Sequence, residues 1–321
     1  MICLSGVTKR FGTRVAVDEL TLAVPRGEIF GLLGHNGAGK STAIGMMLGQ
    51  VWPTAGTVCV CGHDVQRQRR LALAKVGAIF ETPACYDYLS GGRNLEIFCQ
   101  YTAPVSRERL REVVDWVGLG TRIDSRVQTY SHGMRARLAL AQALLPRPEL
   151  LILDEPADGL DPEGMHELRQ TILRLHAELG LTLLLSSHLL GEVEQICTRI
   201  AVLRQGRMVF EGPLAAAKQS RNWVRLVTDD FVAATQDLEA AGLIGGARDG
   251  RYVALTPGVA TCAIARRLVE SGRPVHELAR EEQTLESFYL ELMRAGGEEA
   301  AGRGDQHPSP LKSENRCPKS E

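Results

Sequence analysis

Eight residues near the N-terminus have the types and spacing to hold a phosphate. Gly34-His35-Asn36-Gly37-Ala38-Gly39-Lys40-Ser41 fits the pattern G-x-x-x-x-G-K-[ST] and follows an apolar run, Glu28–Leu33. The glycines let successive backbone N–H groups turn inward around an anion, and a helix starting near Lys40 aims its partial positive end at the same point. Lys40 is expected as a solvent-facing loop residue reaching the β- and γ-phosphates. Ser41 would offer its hydroxyl to Mg²⁺, and Thr42 completes the binding set. A second group suits the same chemistry. Leu150–Leu153 reads as a buried strand ending in two adjacent carboxylates, Asp154 and Glu155. Neighbouring residues at a strand end point to different sides, so the two acids can divide the work. Asp154 is placed to hold Mg²⁺ or its water, and Glu155 to align and deprotonate an attacking water. Together the two groups describe a nucleoside triphosphate site.

Alternating strands and helices must position these residues. Strands are expected at Glu28–Leu33, Val76–Phe80, Leu150–Leu153, Thr182–Ser186 and Ile200–Arg204. The last three are apolar without period-2 alternation, as strands covered on both faces should be. Helices are expected at Lys40–Leu48, Arg107–Val117, Gly133–Leu145, Gly164–Leu179 and Leu190–Thr198. This alternation predicts an α/β domain with a mostly parallel sheet over residues 1–212. After Gly212-Pro213 the texture changes to strand Trp223–Thr228, helix Phe231–Ala241, strand Tyr252–Thr256, helix Val259–Glu270, strand Pro274–Arg280 and helix Leu285–Met293. A small accessory α+β domain is therefore expected over 213–294. Residues 295–321 are rich in Gly, Glu, Ser, Pro and Lys and read as a disordered tail, where Arg303-Gly304-Asp305 is a chance tripeptide. There is no internal repeat.

A third signal decides which kind of NTPase this is. Thr129-Tyr130-Ser131-His132-Gly133-Met134-Arg135-Ala136-Arg137 opens an amphipathic helix shortly before the Asp154 strand. Here the sequence resembles the ATP-binding cassette family over about residues 1–215. The phosphate loop looks like its Walker A motif and Leu150–Glu155 like its Walker B. Tyr130–Met134 looks like its signature, with Ser131 and Gly133 at the two contact positions. Gly159-Leu160-Asp161-Pro162 resembles its D-loop, His188 its switch histidine, and Phe11 stands where the family stacks an aromatic ring on adenine. Leu89-Ser90-Gly91-Gly92-Arg93 looks even more like the signature, but it lies too far before the Asp154 strand and reads as a loop into the helix Asn94–Tyr101. Two positions depart from the family pattern. His132 replaces a small or aliphatic residue in the signature, and Glu81 stands where most cassettes carry glutamine. The resemblance makes Glu81 a further catalytic and Mg²⁺-binding position, at the price of added negative charge near triphosphate. The pattern Gly77–Pro83, Tyr86, Leu89, Asn94-Leu95 is similar to bacitracin-type antibiotic-resistance exporters, whose cassettes often carry this Glu.

The resemblance implies a cassette with a helical subdomain near 82–146 and the family's coupling surface at Glu81–Tyr101. It implies ATP and Mg²⁺ as cofactors. Two cassettes, as a homodimer or with a second cassette subunit, would close head to tail on a separate integral-membrane permease, so the chain would sit in the cytoplasm on the inner face of the plasma membrane. Composition agrees. The 321 residues carry 37 Lys+Arg against 38 Asp+Glu, net −1, without the basic excess of a protein that grips nucleic acid by its phosphates. The 44% hydrophobic and 23% charged content fits a globular protein rather than a disordered one. No run is long enough for a spanning helix, no signal peptide is evident, and eight Cys are too sparse for a disulfide scaffold. Cys59, Cys61 and His63 form the only metal-like cluster, but Thr57–Cys61 reads as a short strand with both Cys on one face and no second cluster completes a site. Three alternatives stay open: a soluble cassette ATPase acting on ribosomes or nucleic acid, a P-loop kinase or GTPase, and an importer rather than an exporter.

Overall fold

The computed structural model describes residues 1–80, 84–101, 105–218, 223–280 and 284–302. Glu81 lies outside these residues. From the N-terminus the elements are β1 (Ile2–Phe11), β2 (Arg14–Val24), β3 (Ile29–Leu33), α1 (Lys40–Met47), β4 (Ala55–Val60), β5 (His63–Asp64), α2 (Arg69–Leu73) and β6 (Val76–Ile79). Three helices follow, α3 (Gly91–Tyr101), α4 (Arg107–Trp116) and α5 (His132–Leu144). Then come β7 (Leu150–Asp154), α6 (Pro162–Leu179), β8 (Thr182–Ser187), α7 (Leu190–Ile196), β9 (Arg199–Arg204), β10 (Arg207–Pro213) and α8 (Leu214–Ala217). The remainder is β11 (Trp223–Val227), α9 (Phe231–Ala240), β12 (Ile244–Arg248), β13 (Tyr252–Leu255), α10 (Thr261–Glu270), β14 (Glu277–Arg280) and α11 (Leu285–Gly302).

A six-stranded sheet ordered β10-β9-β3-β8-β7-β6 carries the chemistry. Its strands are parallel except β10, which returns antiparallel along β9 at the edge. Every residue of β3, β7 and β8 is buried, which is why these strands read as continuous apolar runs. Parallel pairing puts the ends of β3 and β7 at the same edge through their shared neighbour β8, so the loop after Leu33 and the acids after Leu153 meet there. Leu32, Ile44, Met46, Ile152, Leu184 and Leu203 belong to the core that fixes this layer.

The second sheet, β2-β1-β4-β5, is antiparallel. Its strands β1 and β2 escape a periodicity search because register shifts interrupt the alternation between Leu4 and Val7 and again near Lys9. Cys59 and Cys61 do not share a strand face. Val60 pairs with His63, and the intervening Cys61 (φ 50°) and Gly62 (φ 83°) form a two-residue hairpin turn of the left-handed kind, so Cys61 leaves the strand. Among the described residues no three His, Cys, Asp or Glu side chains are grouped as a metal site.

The chain divides into two compact units, Met1–Leu214 with the residues from Leu292, and Ala215–Glu291. The second has its own antiparallel sheet, β12-β13-β11-β14, with helices between β11 and β12 and between β13 and β14. This β-α-β-β-α-β order is a ferredoxin-like arrangement, and Val224, Leu226, Leu238, Val253, Ile264 and Leu268 form its core. Helix α11 runs to Gly302, so residues 295–302 are helical where composition predicts a disordered tail. Gly296, Gly297 and Gly302 are poor helix formers, so the extension owes more to continuing an existing helix without a nucleation cost than to propensity. No helix among the described residues is long and apolar enough to cross a membrane.

Candidate active site

The loop after β3 is shaped by its glycines. Gly39 caps α1 at φ 107°, a conformation closed to side chains, and a Cβ there would fall 2.6 Å from the carbonyl oxygen of Ala16. The backbone can therefore wrap back on itself and present its N–H groups at the start of α1, with the helix dipole behind them. A cavity of about 440 Å³ opens in front of this turn. His35, Asn36, Gly37, Gly39, Lys40, Ser41 and Thr42 line one side, Glu155 and His188 another, and Phe11 stands at the margin, half exposed. Gly34 and Ala38 stay behind the loop instead. The carbonyl of Ala38 accepts from Gly206 N at 2.9 Å, and that of Gly34 accepts from Lys40.

Lys40 is not solvent-facing. It is the first residue of α1 and only 6% exposed, with Nζ donating to the Gly34 carbonyl at 2.7 Å and lying 3.1 Å from Glu155 Oε1. A buried ammonium needs such partners, and the wrapped loop supplies one while the end of β7 supplies the other. Sequence alone places the lysine in the loop but shows nothing of the carboxylate that meets it.

The two acids after Leu153 do point apart. Asp154, buried at the end of β7, accepts from Ser186 Oγ at 2.5 Å and faces Ser41 Oγ at 3.5 Å through the same Oδ1. Glu155 adopts a left-handed φ of 49°, held by its N–H donating to Ser186 Oγ at 3.0 Å, and this turns its carboxylate toward the cavity. Its Oε1 meets Lys40 while Oε2 lies 2.8 Å from His188 Nδ1 and accepts from His188 N–H at 3.2 Å. Burial pushes the Glu155 carboxyl up, but hydrogen bonds and charge from Lys40 and His188 outweigh it and hold the group below the ordinary carboxylate value. The Ser41 hydroxyl and the Asp154 carboxylate converge as hard oxygen donors, a set that suits Mg²⁺ completed by phosphate and water oxygens.

Ser131, Gly133 and Asp161 do not line this cavity. Ser131 caps α5, accepting from Met134 N at 3.2 Å, and Asp161 caps α6, accepting from Gly164 N at 3.1 Å. Gly133 packs on Gly164, where a Cβ would stand 3.3 Å from the Gly164 Cα, so the two helix starts lie close together. The segment Leu89–Arg93 is a brace for this region. Val127 N donates to Leu89 O at 2.9 Å, Gly91 N to Ser125 O at 3.2 Å, and Gly91 presses on the Tyr130 phenol. Its helix begins at Gly91, three residues before the expected start at Asn94. Arg14, Ala16 and Asp158 also line the cavity, and Ser186 ties both acids in place; none belongs to a recognisable spacing pattern.

A phosphate loop after one buried strand, adjacent acids after another and a histidine after the strand between them define a P-loop NTPase. The comparisons with known proteins narrow this. The ABC transporter family model matches residues 17–158. Over 294 residues the chain is 36% identical to the bacitracin transport ATP-binding protein BcrA of Enterococcus faecalis, covering 91% of this chain and 96% of that protein. It is 38% identical over 213 residues to the Nod factor export ATP-binding protein I of Paraburkholderia xenovorans, covering 65% of this chain and 70% of that one. A solved ATP-binding subunit of an ABC transporter superposes with a TM-score of 0.60 at 28% identity, covering 68% of this chain and 91% of its own. The chain belongs to the ABC transporter ATP-binding family and is an ATPase subunit of a transporter.

Proposed function

We propose that the chain drives an exporter of amphipathic compounds of the peptide-antibiotic class, as one of two cassettes on a separate permease at the inner face of the plasma membrane. The match to BcrA carries this reading. It extends over 91% of the chain and so beyond the cassette into the second unit, whereas the Nod factor protein matches 65%. Both relatives are named for transport, which favours a transporter over a cassette acting on ribosomes or nucleic acid. Reconstitution with a candidate integral-membrane permease tests it. ATP hydrolysis should rise when a bacitracin-type peptide is added, and failure to bind that membrane protein would count against the proposal.

In this reading ATP stacks its adenine on Phe11 and lays its phosphates along Gly34–Thr42. Ser41 and Asp154 would hold Mg²⁺, which would supply charge neutralisation for the triphosphate. Lys40 exchanges Glu155 for the phosphates. Glu155 then loses its cationic neighbour, its affinity for a proton rises, and it can accept one from the attacking water. His188, already bonded to Oε2, keeps that carboxylate aimed at the cavity. Ser131 and Gly133 face a nucleotide held by the other cassette, with Asp161 beside the same junction. That assignment suits their position outside the cavity of their own chain.

A further inference from the structure

Three cysteines of the antiparallel sheet lie outside the nucleotide chemistry, and two of them face each other. Cys3 on β1 and Cys59 on β4 are directly aligned partners in the antiparallel ladder. Around them Ile2, Leu4, Val58 and Val60 are buried, while Cys3 and Cys59 are half-exposed, so both thiols stand on the outer face of the sheet. The ladder also fixes the kind of pair. Cys61 N donates to Met1 O at 2.8 Å, which makes Met1 and Cys61 a closely bonded pair. Two residues further along, Cys3 and Cys59 form another of the same kind, with Cα atoms about 5.5 Å apart. Disulfides most often join Cα atoms about 5.5–6 Å apart, so the backbone need not move to bridge them.

We propose that Cys3 and Cys59 are a reversible dithiol–disulfide site, oxidised by low-molecular-weight disulfides. In the first exchange one cysteine thiolate attacks a sulfur of glutathione disulfide. A mixed disulfide forms, and glutathione leaves as a thiolate that takes up a proton. The second cysteine then loses its proton and attacks the protein sulfur of that mixed disulfide, the Cys3–Cys59 bond forms, and a second glutathione leaves. Two electrons pass from the cysteine pair to the oxidant, which becomes two glutathione thiols. Cys61 is poorly placed to compete. It sits in the hairpin turn, and burial, reinforced by Glu149, pushes its thiol up and so lowers its thiolate fraction. The new bond would close a covalent ring containing the whole phosphate loop Gly34–Thr42 and α1, while lying at the opposite end of β1 from Phe11. Oxidation should therefore stiffen the chain without blocking the nucleotide cavity.

The test uses the full chain in a series of glutathione redox buffers, followed by alkylation of remaining thiols and peptide mapping. A Cys3–Cys59 linked peptide should be the main oxidised product, vanish on reduction and persist in Cys61→Ser. The oxidised wild type should melt several degrees higher than the reduced form, a shift absent from Cys3→Ser and Cys59→Ser, and nucleotide affinity should be unchanged. If oxidation gives only glutathione adducts on Cys3 or Cys59, or links either one to another cysteine, the proposal is wrong. Mapping the wild type alone decides this even if a serine variant folds poorly.

Discussion

Replacing Gly91 by alanine should impair the cassette without touching any residue of the nucleotide cavity. A Cβ at Gly91 would fall well inside contact distance of the Tyr130 hydroxyl, 3.1 Å from Ile123 Cδ1 and 3.3 Å from the Ile123 carbonyl oxygen. The phenol cannot slide away freely, since it is only 6% exposed and its hydroxyl donates to the Arg122 carbonyl at 2.7 Å. Overpacking of this kind costs about 1–3 kcal/mol, and the least costly relief is a shift of Tyr130. Ser131, the next residue and the cap of α5, must move with it. If Ser131 completes the partner's site, a penalty near 1.4 kcal/mol on closure lowers hydrolysis about tenfold. ATP affinity of the single chain should stay constant. Gly91→Ala combined with Tyr130→Phe removes the obstructing oxygen and should recover most of the lost hydrolysis, while the missing Arg122 bond costs about 1 kcal/mol of fold stability. Nucleotide titration and steady-state ATPase on the reconstituted complex measure both quantities. Wild-type hydrolysis in a folded Gly91→Ala variant would refute the reasoning, as would equal loss of ATP binding. A Ser131→Arg variant separates the two ideas, because if it too hydrolyses normally, the signature assignment fails rather than the packing argument.

Other consequences follow from the Lys40–Glu155–His188 cluster. Lys40→Ala should lose tight ATP binding and also about 1–3 kcal/mol of stability, because Glu155 and the Gly34 carbonyl are left short of a buried partner; an unchanged melting temperature would show that the pair is energetically silent. Since the Glu155 carboxyl is held below its ordinary value, the stability it brings is present at neutral pH and is lost as pH falls through that lowered value. The melting-temperature gap between wild type and Glu155→Gln should accordingly narrow as pH falls below about pH 4.5, and a gap that widens below that pH would contradict the sign. His188→Ala should slow hydrolysis while leaving ATP binding within about threefold, because the histidine touches the carboxylate rather than the phosphate loop; parallel binding and turnover measurements check it.

Much of the site is legible in the sequence because its parts are local. A phosphate loop needs glycines, a lysine and a hydroxyl at fixed offsets, and β3, β7 and β8 announce themselves as uninterrupted apolar runs. What stays hidden depends on contacts between distant segments. Nothing near Lys40 indicates that its ammonium is buried against Glu155, and nothing in Ser186 shows that its hydroxyl sits between Asp154 and the Glu155 backbone. Strands β1 and β2 are missed because bulges break their alternation, although the end of β1 delivers Phe11 and the start of β2 delivers Arg14 to the cavity. Leu89–Arg93 shows the opposite hazard. Its glycines imitate a signature because Tyr130 needs the room, so a packing requirement has the appearance of a binding motif.

The measurement closest to the central claim is single-turnover ATP hydrolysis by Glu155→Gln in the reconstituted transporter, with ATP binding followed in parallel. Glutamine keeps the shape of the side chain but accepts no proton, and proton removal by a positioned base contributes about 10²–10⁴-fold. Asp154, Ser41 and the phosphate loop remain in place, so binding should persist and the two cassettes should accumulate closed around trapped nucleotide. Hydrolysis should slow by at least about 10²-fold with ATP still bound. Hydrolysis within about threefold of wild type would contradict it and move the base to another residue, His188 first.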